Sequence, residues 1–510
     1  MAGLAIFRAR HKPPGKVFTI FSRFPLNGVA CRNHAAPKMQ RRLITSAARI
    51  IREPETRITT LESGLRVATE ARHGATATVG VWIDAGSRYE TRGVPSVCLY
   101  VCLSGLLMGD CLSDNNGAAH FLEHLAFKGT GKRTQQQLEV EIENMGAHLN
   151  AYTSREQTVY FAKVFKQDTR RAMDILSDIL LQSMIARDSV DRERDVILRE
   201  MEEVNKQHEE VIMDHLHEAA YSTSGLGMTI LGPTNNIMSL QQKHFRDYID
   251  THYTAPRMVI AGAGAVNHEE LCDLSQEFWG MLPTDPKTDY PTNFDQAHFV
   301  GSDKRTPESH PELKEAHVSI AFEGTSWTSP DAFPLMVIQS MLGSWDRLSG
   351  VGGARLPSAL AQQLAMRDLC HSYTTLNICY KDTGLFGIYL VGEEEKIADA
   401  VAVTVDNVQR LTSPGEVTDM ELVRAKTQLK ASLLQQLGSF SFVCEDIGRQ
   451  VLTYGRRMPV AETFARIDTV SATDIQRTAA RFLGGEGNMA FSALGRIDKV
   501  PDFSWMNGLV

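Results

Sequence analysis

Two stretches of this chain, far apart in sequence, follow one plan. Thr76–Ala85 (TATVGVWIDA) reads as a buried strand that runs into Gly86 and Ser87 and is followed by a helical segment. His317–Phe322 (HVSIAF) reads as a strand that runs into Gly324 and Thr325 and leads to a helix over Asp331–Leu342. A chain of 510 residues is too long for a single hydrophobic core. The repetition therefore predicts an α+β protein of two structurally related α/β-sandwich halves. In the first half, Arg57–Leu61 and Leu65–Thr69 flank Glu62-Ser63-Gly64 as a hairpin. Gln137–Met145 is helical, and Ala147–Ala151 with Thr158–Val164 are paired strands. One long amphipathic helix is expected over Ser189–Tyr221, since Val196, Ile197, Met201, Val204, Val211 and Leu216 keep near a 3.6-residue period. The polar, Pro-containing stretch 282–311 reads as a linker between a domain over 53–281 and a second over 312–510, in which Gly384–Gly392 is a further strand.

Charge is distributed unevenly. Residues 1–52 hold eleven of the 53 Lys and Arg residues and no acid, leaving 42 basic residues against 61 acidic ones in the remainder. An Arg-rich, acid-free start resembles a mitochondrial transit peptide over 1–45, with Arg41-Arg42-Leu43 near the expected cut; a plain basic tail is the alternative. The acidic body argues against nucleic acid as a partner and favours cationic ones. The eight cysteines form no C-x-x-C pair and read as reduced core thiols. The apolar run Gly93–Gly109 is broken by Pro95 and Gly105 and reads as non-spanning.

The chemistry is concentrated in Gly117–Lys128. His120 and His124 lie four apart on a predicted helix, so both imidazoles project from one face and can share one metal ion. Glu123 stands one residue before the second His, where its carboxylate can take a proton from water activated by that metal. The order H-x-x-E-H inverts the commoner H-E-x-x-H zinc motif. Two imidazoles and a carboxylate suit zinc, one ion per chain, with a fourth position open. Alone, the motif also suits two histidines on an ordinary helix. The corresponding helix of the second half, DAFPLMVIQSML, has neither His nor Glu.

With GAAHFLEHLAFKGT followed by RERDVILREMEEV, the sequence resembles the pitrilysin-type metallopeptidases and, within them, the β-type subunits of mitochondrial processing peptidases. GLRVATE, VGVWIDAGSRYE, ENMGAHLNAYTSREQTVY, ILGPTNNI, DTGLFGIYLV and CEDIGRQ extend the likeness, in order, from about Pro54 to the C-terminus. The resemblance implies two halves of the pitrilysin type with the metal site in the first only, and Glu200 as third zinc ligand beside His120 and His124. It implies that Glu193, two helical turns earlier, assists the site, although the position equally suits a solvated charge. Glu210 and Asp214, an i,i+4 pair able to grip a guanidinium, match acids that contact an arginine upstream of the cleavage site. Asn150, on an expected edge strand that an extended substrate could join, and Tyr373, an aromatic from the second half near the cleft, complete the implied substrate contacts. His208, His215 and His217 read as structural.

The family's α-type subunits carry a longer glycine-rich loop where Ser349–Ala354 lies, together with a degenerate metal motif, so the intact H-x-x-E-H favours the β type. The implied activity is removal of N-terminal presequences from imported precursors in the mitochondrial matrix, as a heterodimer with an α subunit. The same motifs resemble core subunits of the respiratory cytochrome bc complex. That gives a structural alternative, compatible with dual use and with a place on the matrix side of the inner membrane. In one place the chain departs from the family it resembles. About twenty apolar, Cys-rich residues near 92–111 (RGVPSVCLYVCLSGLLMGDC) separate GSRYE from the metal helix, either as a packed excursion or as retained intron sequence.

Overall fold

The computed structural model describes residues 54–91, 115–288, 293–308, 314–349, 356, 358–484 and 489–507. The expected leader, the insertion at 92–111 with its apolar run, and most of Ser349–Ala354 lie outside the described residues. Two six-stranded sheets organise the rest. The first contains β1 (Thr56–Thr60), β2 (Arg66–Ala71), β3 (Thr76–Ile83), β4 (His148–Thr153), β5 (Thr158–Phe165) and β6 (Met258–Gly264), in the order β1-β2-β6-β3-β5-β4. The second contains β7 (Asp303–Pro307), β8 (Glu315–Glu323), β9 (Ser344–Asp346), β10 (Ser372–Cys379), β11 (Gly384–Glu393) and β12 (Ala490–Gly495), in the order β7-β12-β8-β11-β10-β9.

With β1 and β9 set aside, β2-β6-β3-β5-β4 maps strand for strand onto β7-β12-β8-β11-β10. The one parallel pair of each sheet falls at the same place, β2 beside β6 and β7 beside β12. The repeat read from the sequence is thus a repeat of topology. It also corrects the linker: the stretch 282–311 contains β7, the second-half counterpart of β2, so the second fold unit begins before residue 312. The signal was weak because β7 (DKRTP) is a polar edge strand ending in proline, a composition that also describes a loop.

The halves exchange helices. The long helix expected over Ser189–Tyr221 is two: α2 (Arg187–Val204) and α3 (His208–Tyr221), separated by Asn205–Gln207 with Gln207 extended. Here α1 denotes the preceding metal helix, Ala118–Ala126. Val190 and Ile197 of α2 pack into the first core with α1. Leu216, Ala219 and Tyr221 of α3 instead pack on Ala321, Leu385 and Ala490, and Ile212 on Tyr389 and Leu494, all of the second sheet. One straight helix could not cover both surfaces, so the chain breaks. The hydrophobic period hid this, because Val204 and Val211, seven apart, stay in phase across the break. The reciprocal element comes from the second half, which contains α4 (Ala332–Leu342) and α5 (Phe440–Tyr454). Val443, Cys444, Ile447 and Val451 of α5 cover Ala68, Trp82, Val259 and Ala261 of the first sheet. Gly448 permits that approach, since a Cβ there would stand 2.1 Å from the Trp82 ring. Cys272, Cys370, Cys379 and Cys444 are free thiols, and among the described residues no helix is long and apolar enough to cross a membrane.

Candidate metal centre

The metal helix α1 starts immediately after Gly117, whose φ of 102° is a conformation that favours glycine and lets the chain turn sharply into the helix. Phe121, Leu122 and Leu125 of α1 join the first core, which fixes the rotation of the helix and aims His120, Glu123 and His124 away from that contact. α2 packs alongside and brings Glu200 to the same point. Glu200 Oε2 is 3.2 Å from His124 Nε2 and 3.9 Å from His120 Nε2. Two donors that each stand about 2.1 Å from one ion are at most about 4.2 Å apart, so both separations fit a shared metal. Among the described residues His120, His124 and Glu200 are the group of such donors that lie within 4.8 Å of one another. Two imidazoles and one carboxylate are a donor set that zinc accepts with a fourth position open.

The surroundings orient His124. Glu193 Oε2 lies 3.4 Å from His124 Nδ1 while its Oε1 accepts from Lys128 Nζ at 2.9 Å. A hydrogen bond to Nδ1 leaves Nε2 free to face the metal, the arrangement by which carboxylates orient metal-bound histidines. Burial opposes charge on His124, but Glu193 and Glu200 outweigh it and hold the imidazole up to about 9. Burial likewise opposes charge on Glu193, and His124 and Lys128 outweigh it, keeping this carboxylate below its ordinary range.

Glu123 is buried, and its Oε2 accepts from Thr153 Oγ1 at 2.8 Å. Thr153 closes β4, the free edge of the first sheet. Leu149 and Ala151 pack toward the first core, whereas Tyr152 packs with α5 on the opposite face. By strand alternation, Asn150 shares the face of Tyr152, where its side chain is exposed. Thr153 and Lys128 were both missed in the sequence. Nothing in the residue type marks them, although each lies within a motif that carried the resemblance.

The remaining candidates separate. Glu210 and Asp214 are partly exposed on α3, not on the helix that supplies Glu200, so the rigid spacing expected from one continuous helix does not exist. Asp214 Oδ1 accepts from Arg155 at 2.7 Å and Oδ2 from Thr229 at 3.0 Å, and its side chain remains 34% exposed. Tyr373 is corrected outright. It is 1% exposed in the second core, its hydroxyl donates to the Leu342 carbonyl at 2.8 Å, and Ser358 Oγ lies 2.9 Å away. The aromatic ring and its hydroxyl are both consumed by packing. His217 bridges Met213 O and Tyr380 OH at 2.7 Å each, which is a structural role.

Comparison with known proteins agrees with this geometry. The model of the insulinase family (peptidase family M16) matches residues 112–234, and that of the peptidase M16 inactive domain matches 239–429. A probable mitochondrial-processing peptidase subunit beta from Arabidopsis thaliana is 46% identical over 464 residues, covering 91% of this chain and 82% of that protein. The mitochondrial-processing peptidase subunit beta of Bos taurus is 45% identical over 483 residues, covering 94% and 93%. Among solved structures, a chain of complex III2 from Candida albicans, with Inz-5 bound, superposes with a TM-score of 0.75 over 89% of this chain and 99% of that one. At 22% identity it shares the fold.

Proposed function

The chain belongs to the peptidase M16 family, among the β subunits of mitochondrial processing peptidases, and on that premise we propose that its metal is one zinc ion held by His120, His124 and Glu200. Zinc would supply Lewis acidity to the scissile carbonyl and lower the pKa of the attacking water. Glu123 takes the proton of that water and returns it to the leaving amine. Thr153 fixes one carboxylate oxygen of Glu123 and so holds the side chain in place. Glu193 holds His124 in the tautomer the site needs.

The substrate is an extended, basic presequence in the mitochondrial matrix, laid against the free edge of β4, with Asn150 beside its backbone. Glu210, supported by Asp214, receives an arginine upstream of the cut. Arg155 and Thr229 already orient Asp214, and its exposed part can accept a second guanidinium. The partner is an α-type subunit that closes the other side of the cleft. The domain over 53–281 supplies the chemistry and the remainder supports it. The observation that carries this reading is the convergence of the three donors with Glu123 beside them, which a purely scaffolding subunit of a respiratory complex does not require.

The test combines metal analysis with cleavage of a presequence peptide, with and without the α-type subunit. We expect about one zinc per chain and cleavage only when both subunits are present. In the same assay, Glu210→Gln with Asp214→Asn is expected to abolish the preference for an Arg over an Ala peptide at unchanged zinc content. An unchanged preference returns both acids to the helix surface, and cleavage-competent complex without metal overturns the mechanism.

A further inference from the structure

The first turn of a helix has N–H groups with no partner inside the helix, and a side chain at the N-cap normally accepts from them. Gly117 occupies that position in α1 and has no side chain to offer, yet His120, a proposed ligand, lies in this first turn. The acceptor comes from far upstream. Glu90, 6% exposed, accepts from Ala119 N through Oε1 at 2.7 Å and from Gly117 N through Oε2 at 2.9 Å. Its Oε2 also accepts from Asn116 Nδ2 at 2.7 Å, and the same amide donates to Thr229 O at 2.9 Å. A buried carboxylate on a helix N-terminus is favoured both by these bonds and by the helix dipole.

One residue further on, the chain is pinned to the residues that precede the helix. Thr91 N donates to Asn115 Oδ1 at 2.6 Å, Thr91 Oγ1 to the same oxygen at 3.1 Å, and Asn115 N to Thr91 O at 3.1 Å. The residues on either side of 92–114 are thus joined directly, and Glu90 reaches across that junction into the helix.

Building on the metal reading above, we propose that Glu90 is a positioning residue of the peptidase site. Its carboxylate supplies the cap that Gly117 lacks and holds the turn bearing His120. Together with the Thr91–Asn115 junction, it makes the placement of the ligands independent of the extra residues at 92–111. Glu90 touches neither metal nor substrate and acts only through the helix.

The experiment uses the full chain with its α-type partner, loaded with zinc for kinetics and with Co2+ for visible absorption. Three proteins are compared: the parent, Glu90→Gln and Thr418→Ala. Glu90→Gln keeps the shape but turns an amide N–H toward backbone N–H groups. Thr418→Ala removes a comparable cap from the helix Asp419–Gln436 in the second half, where Thr418 and Glu421 form a capping box. Glu90→Gln is expected to lower zinc affinity in chelator competition at least tenfold, to shift the Co2+ absorption bands, and to reduce kcat about tenfold with KM within about twofold, as loss of a supporting contact does at metal sites. Thr418→Ala is expected to lower Tm with the Co2+ bands and zinc affinity of the parent. Glu90→Asp, which keeps the charge but is one methylene shorter, should fall between parent and Glu90→Gln, and it carries the test if Glu90→Gln does not fold. Parental Co2+ bands and zinc affinity in the folded Glu90 variant overturn the proposal whatever its Tm. A parent that binds no Co2+ overturns the metal reading itself.

Discussion

The helix after β3 and the helix after β8 occupy equivalent places in two equivalent sheets and have opposite contents. α1, AAHFLEHLA, buries His120 and Glu123 along with its apolar residues. α4, AFPLMVIQSML, buries Pro334, Leu335, Val337, Ile338 and Met341 and offers no ionisable group. The fold requires only that this position be covered, and an apolar helix meets that requirement. Burying polar groups is unfavourable unless each is matched by a hydrogen bond or a charge. In the first half those partners are present: Thr153 for Glu123, Glu193 and Glu200 for His124. The candidate metal centre is therefore a local departure from the architecture common to both halves, maintained by partners for ionisable side chains that α4 does not carry.

The comparison is sharpened most by removing the proton acceptor alone. Glu123→Gln should retain metal and lose turnover by about 10²–10⁴-fold, because an amide cannot take the water's proton. A kcat near the parental value would mean that α1 differs from α4 by its metal ligands only. The next largest effect is expected from Glu193→Gln. Losing the oriented carboxylate behind His124 should weaken zinc binding about 10–100-fold, measured by chelator competition. Unaltered affinity would make Glu193 a buried charge whose role is its pairing with Lys128.

The legible part of this molecule was what repeats or what is chemically distinctive. Alternating or continuous apolar runs located β3, β8 and β11, and H-x-x-E-H located His120, Glu123 and His124. Glu200 as a candidate ligand required the resemblance, because no spacing rule links it to His124, 76 positions earlier. The break at Asn205–Gln207 was not legible, since it is imposed by which sheet each helix covers and local periodicity carries no such information. Tyr373 was misplaced for a related reason: motif position locates a residue along the chain, whereas burial against Leu342 and Ser358 decides what its hydroxyl meets.

The helix exchange offers a way to break the comparison from the opposite side. α5 belongs to the second half in sequence and to the first sheet in space, so a change in α5 should weaken the half that carries the chemistry. Gly448→Ala places a methyl group 2.1 Å from the Trp82 ring, which is itself buried and cannot swing aside. Overpacking of this kind costs about 1–3 kcal/mol. We expect a lower midpoint in denaturant unfolding and earlier loss of bound metal. A variant as stable as the parent would show that α5 covers the first sheet loosely and that the two halves are less interdependent than their packing indicates.

The smallest effect tests whether the second half contributes to substrate recognition through Tyr373. Its hydroxyl donates to the carbonyl of Leu342, the last residue of α4, and contacts Ser358 Oγ, which already accepts from Ala361 N as the cap of the following helix. Tyr373→Phe keeps the ring and removes both contacts. Ser358 retains its capping bond, so the loss falls mainly on the Leu342 carbonyl, and a single buried hydrogen bond is worth about 1 kcal/mol net. The variant should unfold at slightly lower denaturant while kcat and KM for a presequence peptide stay at parental values. The two measurements separate the two roles, since a residue buried in the second core influences stability, whereas one lining the cleft influences KM. A raised KM at parental stability would place Tyr373 against the substrate and give the second half a direct part in the reaction. With unchanged kinetics and reduced stability, the chemistry stays with α1, α2 and the β4 edge, and the second half serves as their support.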